Sequence, residues 1–291
     1  MGKWDFLDGA LVQASEITEG LKQDAFAPDK LFNELMSIDA FKELNAYRRS
    51  EKNIRDCEPF EQLNQKYIAL QRQYGNSYHE LYKDVEAYAR RCEYARGGEG
   101  FHRGFYSPSV MDLVVGGLNR GSLYKRLPKN NKHSYEYVFD AQDNLICVHE
   151  YGNLGGEHRL AYAELFVREQ DTILSLIFDP VHASLQFISE CQYTGNRLMR
   201  YAFVHCDLWM GGKGCNEINV ETHGYAGGLM QAVCWYRYSP SIQLLDQYKY
   251  TFARDEEGYL STYTEEQLGG FRPHTTFDEI LSSYKVRVRR K

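Results

Sequence analysis

Residues 185–205, LQFISECQYTGNRLMRYAFVH, carry the clearest structural signal in this sequence. Apolar and polar side chains alternate with a period of two on either side of a central Thr-Gly-Asn, which is the pattern of a β-hairpin. One face of the first arm is largely apolar and the other is largely polar. The stretch therefore predicts a half-buried pair of antiparallel strands.

The register of this hairpin depends on its turn. A three-residue loop, 194–196, sets Phe187 opposite Phe203 and Glu190 opposite Arg200. An aromatic pair and an opposite-charge pair, each of about 0.2 to 1 kcal/mol, favour that register. A two-residue Gly-Asn turn is the alternative, and it removes the charge match.

The remaining sequence divides into helical and strand-forming regions. Apolar residues at three- and four-residue spacing predict helices in a region 1–96. A Gly-rich and basic connecting segment follows over 97–133, and an SPS sequence at 107–109 is expected to open a helix there. Alternating strands with short turns occupy 134–268, and a tail, 269–291, is expected to include a short helix. The predicted fold class is α+β, a helical N-terminal region followed by a large antiparallel β-meander of about nine strands.

Composition is that of a soluble globular protein, with 43% hydrophobic and 25% charged residues in 291. Such values argue against a disordered chain. The sequence contains 23 Tyr, which is an unusual number. Tyrosine suits half-buried strand surfaces and also partner-binding surfaces, so the excess favours a sheet-rich chain that contacts another protein.

The sequence predicts a cytoplasmic protein with free thiols. The first twenty residues contain four acidic side chains and no apolar run, which excludes a signal peptide, and no stretch has the length of a membrane span. The seven Cys are an odd number without a repeated short spacing. A disulfide framework is therefore disfavoured.

Two tyrosine-rich stretches resemble each other. They are YEYVFDAQDNLICVHEY at 135–151 and YKYTFARDEEGYLSTYTEE at 248–266. Each has a tyrosine-rich strand, an acidic turn and a leucine that leads the return strand, and in this respect the pair resembles the YD-type repeat of RHS proteins. The turn glycine of that pattern is replaced by Asp143 in the first copy, and no activity is carried over from the resemblance.

Candidate catalytic residues lie on the strand that follows the central hairpin. Glu217, Asn219, Glu221 and His223 alternate onto one strand face. The pair Glu221 and His223 could act as general acid and base in a hydrolase or nuclease, with His205 as a further candidate. A polar solvent-facing strand gives the same pattern, and a catalytic carboxylate needs a pocket to shift its pKa.

The Cys and His residues nearest each other do not form a convincing zinc motif. His205, Cys206, Cys215 and His223 are the densest cluster, but adjacent strand residues point to opposite faces and no CxxC or HxxxH spacing is present. We therefore predict neither a metal nor a cofactor.

A basic segment between residues 90 and 132 contains nine Lys and Arg against three acidic residues. Its cations alternate with aromatic residues, and Arg103, Lys125 and Arg126 are the candidate nucleic-acid contacts. The competing interpretation is intramolecular, because the acidic remainder of the chain could complement this belt. The overall charge of -6 disfavours nucleic acid.

These observations predict a non-catalytic cytoplasmic protein-interaction module without membrane association. Its expected contact surface is the face of the sheet, with Tyr201, Trp235 and Tyr236 as the partner-binding residues. By analogy of architecture alone, an immunity-type or inhibitor protein that blocks a bacterial toxin would suit such a surface. The hydrolase or nuclease that uses Glu221 and His223, and the nucleic-acid binder, are the two alternatives.

Overall fold

An antiparallel sheet of thirteen strands forms the body of the molecule. The computed structural model describes residues 39–97, 103–117, 120–127, 133–154, 157–206, 215–271 and 281–285. From the third strand to the thirteenth, each strand pairs with its neighbour in sequence, and the first two strands complete the sheet in the spatial order β3-β1-β2. The predicted meander is confirmed, but the predicted number of about nine strands is wrong.

The strand bounds show where the additional strands come from. They are β1 Arg91–Arg96, β2 Ser122–Tyr124, β3 His133–Phe139, β4 Leu145–Leu154, β5 Glu157–Glu169, β6 Thr172–Asp179, β7 Ser184–Thr194, β8 Arg197–Cys206, β9 Cys215–Ala226, β10 Leu229–Ser239, β11 Leu244–Arg254, β12 Leu260–Gly269 and β13 Leu281–Lys285. Strand β1 lies in the region predicted to be helical, β2 in the connecting segment, and β13 where the tail was predicted to form a helix. Each of these three strands pairs with a strand from which a long connection separates it in the sequence. Local periodicity does not reveal such pairing, so the sequence did not indicate these strands.

The two tyrosine-rich stretches form hairpins with the same turn. Asp140 Oδ1 accepts the backbone N–H groups of the residues two and four positions later, and Asp255 Oδ1 does the same. Asp143 and Gly258 occupy the same turn position with φ of 59° and 86°. Asp is one of the few residues that tolerates this left-handed conformation, so the replacement of glycine in the first copy preserves the turn.

Three described helices lie on one face of the sheet, which we call the helix face. They are α1 Asp39–Arg48, α2 Glu51–Tyr74 and α3 Tyr78–Tyr88. Ser50 caps α2 by accepting the N–H of Asn53. Pro59 is a helix-start signal by sequence, but α2 continues through it. No helix of the described residues is both long and apolar enough to cross a membrane.

Helix α2 crosses the sheet over β7, β9 and β11, and α3 continues toward β6 and β4. Tyr67 and Ile68 of α2 are buried against the sheet, and Phe60 contacts the ring of Tyr238 at 5.9 Å. The largest cluster of buried apolar side chains lies between these helices and the helix face. It supplies most of the apolar burial that stabilises the fold.

A second layer covers part of the opposite face. Residues 103–115, which we call the strap, contain a 3-10 turn at Gly104–Tyr106 and a π-helical turn at Met111–Val115. A Cβ atom on Gly104, which has φ of 48°, would lie 2.6 Å from the Tyr135 ring, so only glycine fits there. Of the helix predicted to begin at 107–109, the described residues form only the π-helical turn, and Ser109 and Val110 at its start are bound to Glu221 of the sheet.

The central hairpin has a register that differs from the predicted one. Gly195 and Asn196 form a two-residue turn, and a bulge follows at Met199, so Phe187 lies opposite His205 rather than opposite Phe203. The Phe187 and Phe203 rings nevertheless stack at 5.5 Å along the diagonal. Diagonal neighbours remain within reach of long side chains, which is why the expected aromatic contact forms in a different register.

The charge pair of the hairpin is also diagonal. Glu190 lies opposite Ala202, yet Arg200 Nη1 is 3.4 Å from Glu190 Oε1. Glu190 is buried on the helix face, and Lys66 of α2 also binds it. The predicted ion pair therefore exists and links the hairpin to the helical layer.

Candidate functional site

The strap is held on the sheet by a buried ion pair. Arg103 Nε donates to Glu164 Oε1 at 2.5 Å, and both side chains are buried. The same guanidinium donates to Ser189 Oγ at 3.2 Å and lies 4.8 Å from the centre of the Phe166 ring. Burial alone lowers the pKa of Arg103, but the Glu164 charge outweighs burial and the pKa is raised. Arg103 is therefore a structural cation inside the protein.

A second polar group holds the other half of the strap. Ser109 Oγ donates to Glu221 Oε1 at 2.5 Å, and the backbone N–H of Val110 donates to Glu221 Oε2 at 2.8 Å. His223 Nε2 lies 3.2 Å from Glu221 Oε2, and its Nδ1 lies 2.9 Å from the carbonyl oxygen of Leu198. A carbonyl oxygen only accepts, so Nδ1 is placed to donate to it, and both ring nitrogens of His223 have partners inside the protein. The predicted catalytic pair is thus brought together by the fold.

Glu221 and His223 are enclosed between the sheet and the strap. Their exposed fractions are 3% and 4%, and both carboxylate oxygens of Glu221 are occupied by groups of the strap. General acid-base chemistry requires contact with a substrate proton. Here the groups within hydrogen-bond distance belong to the protein itself.

A third carboxyl group stands close to this centre. Asp112 follows Ser109 by three residues, and its backbone N–H donates to the Ser109 hydroxyl at 3.0 Å. Burial, and then the neighbouring charge of Glu221, raises the pKa of Asp112 to about 6. The Asp112 carboxyl group of the strap therefore lies close enough to Glu221 of the sheet for the two to repel each other when both are ionised.

A separate polar network lies on the helix face at the end of α3. Glu136 Oε2 is 2.9 Å from His149 Nδ1 and accepts the Tyr151 hydroxyl at 3.2 Å. Tyr82 of α3 contacts His149 Nε2 at 3.1 Å. The His149 hydrogen bond, opposed by burial, lowers the pKa of Glu136. The network joins α3 to β3 and β4, and its partners are all internal.

Four rings form a row on the strap face, beyond the strap itself. We define the aromatic row by Tyr162, Phe187, Phe203 and His205. The ring centres of Tyr162 and Phe187 are 5.9 Å apart, and those of Phe187 and Phe203 are 5.5 Å apart. His205 contacts Phe187 edge-on at 4.9 Å. His205 is exposed and the other three rings are half-buried, so the row reaches the surface.

Strand alternation explains the position of the row. Tyr162, Phe187 and Phe203 each lie two residues along their strands from a residue under the strap, namely Glu164, Ser189 and Tyr201. Two residues correspond to about 6.6 Å along a strand on the same face. The strap therefore covers part of this face, and each of these three rings lies beside a covered position on its own strand.

Charged groups lie at both ends of the aromatic row. Glu150 pairs across strands with Tyr162, and Asp179 is close enough to influence the pKa of the Tyr162 hydroxyl. Glu217 lies opposite His205 and binds Arg237 at 2.8 Å. A shallow pocket of about 200 Å³ adjoins the Tyr162 end. Its lining residues are Arg159, Leu160, Ala161, Tyr162, Asp179, Val181, His182 and Gln186.

The three residues predicted to bind a partner do not form one surface. Tyr201 is buried beneath the strap, with an exposed fraction of 3%. Trp235 is half-buried and contacts the Tyr248 ring at 5.6 Å on the strap face. Tyr236 is half-buried on the helix face, where it contacts the Phe60 ring at 5.4 Å. Adjacent strand residues point to opposite faces, which separates the last two.

The tyrosine excess is partly explained by the core. Nine tyrosines of the described residues are buried. They are Tyr67, Tyr78, Tyr135, Tyr137, Tyr201, Tyr238, Tyr248, Tyr250 and Tyr263. Several of their hydroxyls bind the covering layers, as when Tyr137 donates to the Arg103 carbonyl oxygen and Tyr238 donates to Glu61. Tyrosine is suited to this use because its ring packs in the core while its hydroxyl reaches a polar partner.

The predicted basic belt is divided by the fold. Arg103 is buried in its ion pair with Glu164, whereas Lys125 and Arg126 are exposed beyond β2. Arg91 binds the carboxylates of Glu93 and Asp143. The intramolecular interpretation of the belt therefore accounts for Arg103 and Arg91, and the three predicted nucleic-acid contacts do not share a surface.

The residues considered for zinc are also separated. Cys206 and Cys215 lie opposite each other in the core on the helix face, and burial raises the pKa of Cys206 above its ordinary value. His205 is exposed on the strap face, and His223 is buried beneath the strap. Within the described ranges, no group of three or more His, Cys, Asp and Glu side chains is arranged to hold a metal ion.

The sequence prediction missed the aromatic row as a unit. Alternation indicates that residues 187, 203 and 205 share a face. Tyr162 is 25 residues away from Phe187 in sequence, and its ring contacts Phe187 over the intervening strand β6. The order of strands and the bulge at Ile177 and Phe178 decide that contact. A strand-by-strand alignment of the meander would have been needed to find it.

No protein-family model matches this chain, and comparisons with curated proteins and with solved structures found no significant match.

Proposed function

We propose that this protein is a non-catalytic protein-interaction module that binds a partner through the aromatic row. The observation that carries the proposal is the row itself, Tyr162, Phe187, Phe203 and His205, which reaches the surface on three strands of a continuous sheet. Aromatic side chains are enriched at the energetic centres of protein interfaces. A row built on hydrogen-bonded strands is already ordered, so binding costs little conformational entropy.

Binding is supported over catalysis by the difference between the two polar regions. Glu221 and His223 are enclosed and bound to the strap, whereas the aromatic row lies at the surface and is bordered by charged side chains. An interface typically has an apolar centre with a polar rim. The row and its border have this organisation.

An inhibitor or immunity-type protein of the cytoplasm is the class that we propose. All seven cysteines are free, and five of them are buried, which supports a reducing compartment. An inhibitor acts by covering its target, and a rigid, preformed surface serves that purpose without chemistry at the interface.

The proposed function is tested by affinity capture from the native cells with matched variants. Phe203→Ser removes a ring from the row, and Tyr259→Ser removes a ring that is 55% exposed at the distant β11–β12 turn. We expect a stoichiometric protein partner with the wild type and with Tyr259→Ser, and its loss with Phe203→Ser. Retention of the partner by both variants, or capture of no partner at all, would contradict the proposal.

Folding of the variants is checked first, because Phe203 also packs on its neighbours. Far-ultraviolet circular dichroism and thermal melting establish whether Phe203→Ser is folded. If it is not, Phe203→Leu replaces it, since leucine keeps most of the apolar volume and removes only the ring.

A further inference from the structure

The charges that border the aromatic row indicate what kind of partner it fits. Four carboxylates border the row on the strap face, against the guanidinium groups of Arg159 and Arg237 and the imidazole of His182, whose Nδ1 lies 2.7 Å from Asp179 Oδ2. The carboxylates belong to Glu150, Asp179, Glu217 and Asp246, of which Asp246 pairs across strands with Arg237. The border is acidic on balance, so it attracts cations and repels phosphate groups.

The geometry points to a cationic, arginine-bearing segment of the partner protein as the occupant of the aromatic row, an inference that rests on the function proposed above. Ring faces attract a guanidinium through their electron density, and a nearby carboxylate binds its N–H groups. Arginine is also among the residues that contribute most to interface affinity. The aromatic row supplies both kinds of partner within one surface.

The protein already binds its own arginines in this way. Arg91 lies 4.1 Å from the centre of the Phe139 ring and is bound by Glu93 and Asp143. Arg103 lies 4.8 Å from the centre of the Phe166 ring and is bound by Glu164. In both cases one guanidinium is held by an aromatic ring together with a carboxylate.

The aromatic row repeats this combination at the surface. Tyr162 has Glu150 opposite it on the neighbouring strand, and Asp179 lines the same pocket as Tyr162. His205 has Glu217 opposite it, and desolvation by the neighbouring groups lowers the pKa of His205, which favours the uncharged ring. An uncharged ring does not oppose a bound cation.

The inference is tested with labelled peptides as probes. Binding of fluorescein-labelled hexa-arginine, hexa-lysine and hexa-glutamate is measured by fluorescence anisotropy at about 0.15 M salt. Hexa-arginine is expected to bind more tightly than hexa-lysine, because the planar guanidinium stacks on rings and forms paired hydrogen bonds. Equal affinity for the two cationic peptides would overturn the inference.

Variants locate the probe on the protein. Asp179→Asn keeps the shape of the β6–β7 turn and removes one charge, and Phe187→Leu removes one ring. Each is expected to weaken hexa-arginine binding about fivefold, the factor that corresponds to ~1 kcal/mol. Glu256→Gln and Tyr259→Leu are the matched controls at the β11–β12 turn, and they should leave the affinity unchanged. Equal weakening by the controls would show attraction to the net charge alone and would overturn the inference.

Two further measurements address other occupants of the row. The first measures binding of a fluorescein-labelled oligothymidylate. If the oligothymidylate binds, and Phe187→Leu lowers its affinity, the inference is overturned in favour of nucleic acid. The second measures hexa-arginine binding after deletion of residues 286–291, whose sequence is VRVRRK. If the deletion raises the affinity for hexa-arginine about fivefold, these basic residues of the same chain occupy the row and the inference is overturned. Unchanged binding supports a separate partner.

The two proposals can fail separately. If the native partner is lost with Phe203→Ser but hexa-arginine does not bind, the row is an interface and its partner is not cationic. If hexa-arginine binds at the row but no native partner is captured, the cation site stands and the interaction function fails. Hydrogen exchange of β5 and β7 with and without hexa-arginine reports the site without any substitution.

Discussion

Replacement of Arg103 by methionine should destabilise the protein strongly, because it leaves a buried carboxylate without its counter-charge. Arg103 has Glu164 at 2.5 Å, Ser189 at 3.2 Å and the Phe166 ring centre at 4.8 Å. Methionine has a similar length and is apolar, so the change removes the charge and hydrogen bonds while most of the packing volume remains.

The magnitude follows from the burial of both partners. Removal of one member of a buried ion pair costs about 3 to 5 kcal/mol, because the remaining ion stays desolvated. Arg103→Met should therefore lower the free energy of unfolding by about 3 to 5 kcal/mol, a large share of the ~5 to 15 kcal/mol that is usual for a domain. The double variant Arg103→Met/Glu164→Leu should lose less than the sum of the two single changes, since it removes both charges.

Urea unfolding followed by circular dichroism measures these values. Arg120→Met is the matched control, because Arg120 also belongs to the segment that follows the Gly-rich loop and binds the Phe105 carbonyl oxygen at 3.2 Å, but is exposed. The control should cost at most about 1 kcal/mol. A similar small cost for Arg103→Met, or full additivity in the double variant, would refute the role assigned to this ion pair.

Three further predictions concern the strap, a turn and the central hairpin. The pKa of Asp112, raised to about 6 from 3.8, means that its stabilising contribution is complete below pH 3.8 and is lost as pH rises through 6. Asp112→Asn should abolish that pH dependence and raise stability at pH 7 by about 1 to 2 kcal/mol after solvent screening, as measured by urea unfolding at several pH values. Gly258→Ala should cost about 1 kcal/mol in thermal melting because of its φ of 86°, whereas Gly224→Ala, with ordinary contacts, should not. A double-mutant cycle of Glu190→Gln and Arg200→Met should give a coupling of about 1 kcal/mol, and zero coupling would contradict the diagonal ion pair.

The fold class could be predicted because strand alternation and turn chemistry are local properties. The hairpin at 185–205, the acidic turns at Asp140 and Asp255, and the short connections all indicated an antiparallel meander, and the structure confirms it. Strands β1, β2 and β13 were missed, since their sequences are short or irregular and their pairing is decided by strands elsewhere in the sheet.

In the candidate site, too, some features could be predicted from the sequence and others depend on the tertiary structure. The sequence by itself placed Glu221 with His223 on one face, because side chains two residues apart on a strand point the same way. It also predicted the contact of Phe187 with Phe203 from the hairpin pattern, although the register differs from the predicted one. Tertiary structure alone decided that the strap encloses Glu221 and His223, that Arg103 is buried rather than presented to nucleic acid, and that Tyr162 completes an aromatic row. The physical reason is that periodicity states which residues share a face, whereas burial depends on which distant segment covers that face, and a covering segment is chosen by the sum of many long-range contacts.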